Sequence, residues 1–140
     1  MFGIGEPARA QLFRALLNGS VRRVDKPWGR EFIISTDDFL LKVIEVFAGQ
    51  RTSLQHHNEK TEIHWLLEGT GELYKRELDP DELIRYETEA EMRPSPGLLV
   101  HPGEVHRAIG PLLILEISTN HPDDVVRHED DYSREDPSAR

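Results

Sequence analysis

The chain contains no cysteine. Disulfide staples and thiolate metal centres are therefore excluded, and any metal must be held by nitrogen and oxygen. Basic residues are in short supply: 17 Lys and Arg stand against 26 Asp and Glu, a formal net charge of −9. That balance argues against a phosphate-neutralising face and so against nucleic acid as a partner. A few cations can still converge locally on a small anion. Long apolar runs are also missing. No stretch approaches the ~20 residues of a membrane-spanning helix. The opening MFGIGEPARAQLFRALLNGS lacks the basic-then-apolar order of a secretion signal. The expectation is a soluble, cytoplasmic protein without a membrane partner.

Turn formers and short apolar runs are plentiful. The 140 residues suggest one domain, large enough to bury a core. Residues 6–18 read as a helix: Pro7 suits its first turn, Leu12, Phe13, Leu16 and Leu17 make a stripe, and Asn18-Gly19 stops it. A lone helix of this length is marginal in water, so its stripe must pack on the main domain or on a second subunit.

From residue 24 the pattern becomes strand-like. The runs are 30–35, 39–47, 52–57, 62–69, 71–78, 83–92, 98–101 and 112–118. Gly, Pro, Asn and Asp sit between most of them, and nine prolines fall mostly at the joints. This is the signature of an all-β sandwich or barrel. The expected organisation is an N-terminal extension over 1–22, a β domain over 23–134 and a disordered tail over 135–140. The segment HPDDVVRHEDDYSREDPSAR shows neither strand nor helix periodicity.

The densest polar stretch is SLQHHNEKTEIHW, residues 53–65. Side chains alternate along a strand, so Ser53, Gln55 and His57 share one face and His56 the other. After a turn at 58–61, Glu62 and His64 share a face, with Lys60 at the same parity. A closed hairpin would bring Gln55, His57 and Glu62 together. Two neutral donors and one carboxylate suit a borderline divalent ion: Zn, Fe, Mn, Co or Ni. The competing reading is a hairpin with a solvated polar face. His106, after the Pro-Gly turn of HPGEVHR, supplies a fourth donor.

This pair of motifs resembles the cupins. The first cupin motif runs here as Gly49, QRTSL, Gln55-His56-His57, NEKT, Glu62, IHWLLE, Gly69. The centre of the second matches His101-Pro102-Gly103-Glu104-Val105-His106, with Ser95 and Gly110 departing from its flanking positions. Within the cupins, the chain is similar to phosphomannose isomerases and related small sugar-phosphate cupins. KPWGREFII (26–34), SLQHH and ILEISTNHPDDVVRHEDDYSR (114–134) carry that likeness.

The resemblance implies a single jelly-roll, or double-stranded β-helix, barrel with a short N-terminal helix. It implies one divalent metal, zinc foremost, held by Gln55, His57, Glu62 and His106. It implies catalytic roles for Lys60, Glu116 and Arg127. Residue chemistry leaves alternatives open: Glu116 could reach water at a strand end, Arg127 could balance the acidic tail, and Lys60 could be solvated. Lys42, His64 and Arg107 are expected substrate contacts, and Arg127, aided by Lys42 or Arg107, is the expected phosphate anchor. The implied activity is aldose–ketose isomerisation of a sugar or sugar phosphate. Epimerase, dehydratase and dioxygenase chemistry, or a non-catalytic sugar or anion binder, are the alternatives. A homodimer is expected from the helix and the exposed strand edges.

Overall fold

The computed structural model describes residues 10, 14, 18–76, 93–94 and 97–137. Ala10 and Arg14 are helical, in agreement with the N-terminal helix, most of which lies outside the described residues. The strand expected over 83–92 also lies outside them apart from its flank. The remainder is β structure.

The strands in chain order are β1 Arg22–Lys26, β2 Gly29–Ser35, β3 Phe39–Val46, β4 Leu54–His56, β5 Glu62–Gly69 and β6 Glu72–Arg76. They continue with β7 Arg93–Pro94, β8 Gly97–Val100, β9 Val105–Ile109, β10 Leu112–Thr119 and β11 Val126–Glu129. A six-stranded sheet runs β1-β2-β3-β10-β5-β8, and a five-stranded sheet runs β11-β4-β9-β6-β7. All pairings are antiparallel. From β3 to β6 and again from β7 to β11, consecutive strands alternate between the two sheets, as in a jelly roll.

Alternation along the strands explains the core. In β3, Leu40, Ile44 and Val46 turn inward, and in β10 Leu112 and Ile114 do so. They meet Leu98 and Val100 from β8, Leu73 from β6, Ala108 from β9, and Trp28 at the β1–β2 turn. This cluster fills one end of the barrel. The polar inward residues occupy the other end.

Two glycines shape the wall. Gly69 has φ +114°, and a Cβ there would lie 2.2 Å from the Pro111 carbonyl oxygen. It sits beside the bulge where β10 shifts register on β5 between Leu113 and Ile114. A Cβ on Gly29 would lie 1.9 Å from the Glu45 carbonyl oxygen, so β2 approaches β3 only with glycine there.

The tail differs from expectation. Val126–Glu129 forms β11 and pairs with β4 at the edge of the smaller sheet. Its alternation is hidden because its side chains are mostly charged or half-buried. Residues 135–137, expected to be disordered, are tied back: the Glu135 carbonyl accepts from Arg127 Nη1 at 2.7 Å, and Asp136 accepts from the Arg127 backbone N–H at 3.1 Å. Residues 138–140 lie outside the described residues.

Candidate metal centre and substrate cavity

The site is built from β3, β4, β5, β9 and β10. Gln55 on β4 pairs in register with His106 on β9. His57 follows β4 directly, and Glu62 and His64 occupy the start of β5. On the larger sheet, Glu116 of β10 lies between Lys42 of β3 and His64 of β5, each its register partner. These residues line a cavity of about 160 Å³, together with Lys60, Lys26, Glu31 and Arg127.

Glu62 is 2 % exposed and stands at the centre. Its Oε1 lies 3.0 Å from Lys60 Nζ and 3.2 Å from His57 Nε2. Its Oε2 lies 2.7 Å from His64 Nε2 and 3.3 Å from His106 Nε2. Burial works to raise the Glu62 carboxyl, but the His64 charge and the close contacts of His106, His57 and His64 hold it well below the usual range. Burial works to lower the His64 imidazole; Glu62 and then Glu116, 3.4 Å away, raise it instead. The 2.7 Å contact has His64 Nε2–H donating to Glu62 Oε2.

The other two imidazoles have their tautomers set from behind. His57 Nδ1–H donates to the Asp124 carbonyl, and His106 Nδ1–H donates to the Glu104 carbonyl at 3.2 Å. A carbonyl can only accept, so in the neutral ring each Nε2 holds a lone pair that points inward. Both Nε2 atoms are buried and make no hydrogen bond. His57, Glu62 and His106 bring their donor atoms within 4.8 Å of one another. Two imidazole lone pairs and an ionised carboxylate are all acceptors, and acceptors converging in a buried space call for a cation. Carbonyl-fixed imidazoles are also the usual support of metal ligands. The donor set therefore fits a divalent ion. Burial holds His106 below the ordinary imidazole range, which favours its neutral, ligating form.

The segment after β10 clasps the first motif. Asp124 accepts from the backbone N–H groups of Asn58, Glu59 and Lys60 at 2.9, 2.7 and 2.8 Å. Burial raises the Asp124 carboxyl, and those three bonds more than offset it, leaving it lowered. The second motif is tied to the first as well: Gly103, at φ +85°, donates its N–H to the His57 carbonyl at 2.7 Å.

Most expected residues fall where the pattern placed them. Gln55, His57, Glu62 and His106 face the cavity, and Gln55 Oε1 accepts from Ser53 Oγ at 2.6 Å. Lys60 is buried against Glu62 rather than solvated. Glu116 is buried on the cavity side, with Oε1 making no hydrogen bond. Lys42 points inward to Glu31 at 3.5 Å, and Glu116 and Glu31 raise its ammonium against the lowering effect of burial. Arg127 lines the cavity through β11. His56 faces outward and meets His128 at 2.7 Å.

Arg107 is the exception. It follows His106 directly, so strand alternation turns it to the opposite face. There it is buried, donates to the Thr52 carbonyl at 3.0 Å and approaches Glu129 at 3.6 Å. It does not line the cavity where a substrate contact was expected.

Four contributors escaped the sequence reading. Asp124 is foreshadowed only by the Asp-rich turn after His121-Pro122. Glu31, Lys26 and Arg134 all line the cavity. Glu31 shares the parity of Gly29 and Ile33 in β2, which could have revealed it.

The matches to known proteins agree with this geometry. The family model described as Mannose-6-phosphate isomerase C-terminal matches residues 17–130. The chain belongs to this family. The chain is also similar to a stretch of longer proteins. Mannose-1-phosphate guanylyltransferases of Klebsiella pneumoniae and Escherichia coli are each 30% identical over 120 residues, covering 81% of this chain. The chain spans 24% of the length of these relatives.

Among solved structures, Streptomyces PAC13 with uridine, in a histidine-to-glutamine variant, superposes with a TM-score of 0.60 at 12% identity. It covers 79% of this chain and 87% of its own. KdgF from Halomonas sp. gives 0.55 at 15% identity, covering 74% of this chain and 92% of its own. A Klebsiella pneumoniae protein described by its double-stranded β-helix domain gives 0.57 at 15% identity, covering 81% and 95%. At these identities the likeness is one of fold, and it is the cupin fold.

Proposed function

We propose that the chain is a metal-dependent sugar-phosphate isomerase of the mannose-6-phosphate type. It would interconvert an aldose and a ketose by moving a proton between C2 and C1. The observation that carries this reading is Glu116. It is a buried carboxylate whose Oε1 has no partner, placed beside a divalent-ion donor set in a cavity rimmed by cations.

Gln55, His57, Glu62 and His106 would hold the ion. When bound, it supplies Lewis-acid polarisation of the substrate carbonyl and neighbouring hydroxyl. Glu116 Oε1 takes the proton from the carbon next to the carbonyl and returns it to the adjacent carbon. His64, on the other Glu116 oxygen, orients that carboxylate. Lys60 holds a proton at Nζ for the enediol oxygen.

Lys26, Lys42, Arg127 and Arg134 all line the cavity of a chain with net charge −9. Burial first, and then the charges of Lys42, Arg134 and Arg127, depress the Lys26 ammonium despite Glu31. Like charges gathered this closely favour an anion between them. Arg127, whose buried Nε makes no hydrogen bond, would take the phosphate with Lys42. The family description and the sugar-phosphate names of the relatives support the same substrate class.

The test joins elemental analysis with a coupled assay of mannose 6-phosphate to fructose 6-phosphate. Glu116→Gln should lower kcat by about 10²–10⁴-fold while keeping bound metal. Turnover within twofold of the wild type would rule out Glu116 as the base. One metal per chain without turnover of any aldose phosphate would leave a sugar-binding cupin and remove the isomerase.

A further inference from the structure

The inner face of the six-stranded sheet is taken up by core and cavity, yet its outer face is apolar too. Across β2, β3, β10, β5 and β8, one row runs Ile34, Leu41, Ile117, Ile63 and Leu99, each in register with the next. The adjacent row runs Phe32, Val43, Leu115 and Trp65, and ends on Gly97. Trp65 is 59 % exposed, Ile63 50 % and Leu99 47 %. A Cβ on Gly97 would meet the Trp65 ring at 2.9 Å, so the glycine makes room for the indole on the sheet surface.

An antiparallel sheet with one face in water alternates apolar and polar. Here the outward parity carries apolar side chains although the inward parity already faces the core and the cavity, the pattern of a sheet lying between two layers. No charge interrupts either row. At the border, Arg30 and Glu45 are paired with each other at 2.5 Å.

We propose that the outer face of this sheet is covered by the same face of a second copy, the two sheets stacking about a two-fold axis. A flat uncharged surface is complementary to itself, as an isologous interface requires. Two chains of net charge −9 repel, so they associate best through a surface free of charge, and these rows are such a surface. With ~3.3 Å per residue and ~4.8 Å between strands, the two apolar rows, about four residues deep across five strands, present roughly 300 Å² in projection. They form the apolar centre of a face whose polar border extends it toward the ~800 Å² per partner of a standard stable interface.

The test is light scattering with the full chain across micromolar concentrations. The wild type should run at twice the chain mass. Trp65→Glu and Ile117→Lys should each raise the dimer dissociation constant at least about 30-fold, the effect of losing a hot-spot side chain. Far-UV circular dichroism and metal content should not change. Tryptophan emission should shift to shorter wavelength on association, because Trp28 is already buried and only Trp65 changes surroundings. Leu99→Gln, on the edge strand β8, serves if a charged variant misfolds. A monomeric wild type, or a dimer indifferent to these substitutions, overturns the proposal. So does a monomer whose Trp65 becomes quenchable only after residues 1–17 are deleted; that result would assign the face to the chain's own N-terminal stripe.

Discussion

Glu62 shares its two oxygens among Lys60, His57, His64 and His106, all within 3.3 Å. Removing it leaves two inward lone pairs without their carboxylate. Glu62→Ala and His106→Ala should each weaken metal binding by more than the ~10–100-fold typical of losing an outer-shell partner. Competition with a chelator checks this, and a normal metal content in either variant would exclude that residue as a ligand. Arg127→Ala tests the anion end. It should raise KM for a phosphorylated sugar by about tenfold or more, with kcat little changed, because it removes binding shared by substrate and transition state. An unchanged KM would refute its phosphate role. Strand parity made Gln55, His57 and Glu62 legible, since alternation is local, and the Pro-Gly turn of the second motif pointed to His106. Parity also placed Arg107 against its expected role, because neighbours in a strand cannot share a face.

At the scale of elements, β11 and the segment before it hold the first motif in place. Asp124 was not legible because its partners, Asn58 to Lys60, are more than sixty residues earlier. Asp124→Ala removes three charge-assisted bonds and should cost about 2–3 kcal/mol, at ~1 kcal/mol net for each. Denaturant melts measure it, and a loss below the error of such melts would show the clasp to be idle. The outer face of β11 adds a pH dependence. Burial first, and then His56, lower the His128 imidazole to about 4. The unfolded chain then binds the proton more readily between pH 4 and 6.5. His128 therefore costs nothing above pH 6.5, and stability falls as pH drops from 6.5 to 4. His128→Gln should flatten that part of the stability profile. An identical slope in both proteins would refute the assignment.

The whole molecule is a barrel with a dry apolar end and a charged end, and composition alone could not show that division. Short runs and turn formers announced the β class. The β1, β9 and β11 strands were hidden because RRVDK, VHRAI and VRHE carry charges that mask alternation. Lys26, Glu31 and Arg134 come from opposite ends of the chain, so only the closed barrel brings them to one cavity. If the native barrel alone binds metal, chelation must destabilise it. Metal at 100–1,000 times its dissociation constant adds about 2.7–4.1 kcal/mol. Adding EDTA should then lower Tm by on the order of 10 °C. Calorimetry with and without chelator decides, and coincident melting curves would argue against a tightly held ion.

The Asp124 clasp also sets an order in time. A ribosome releases the hairpin with Gln55, His57 and Glu62 well before His106, and Asp124 emerges later still. Until then the His57 ring has no carbonyl to fix its proton, and the turn at 58–60 has no carboxylate to bind its amides. The nascent chain can close its strands early, but the candidate metal site is complete only once Asp124 has joined it.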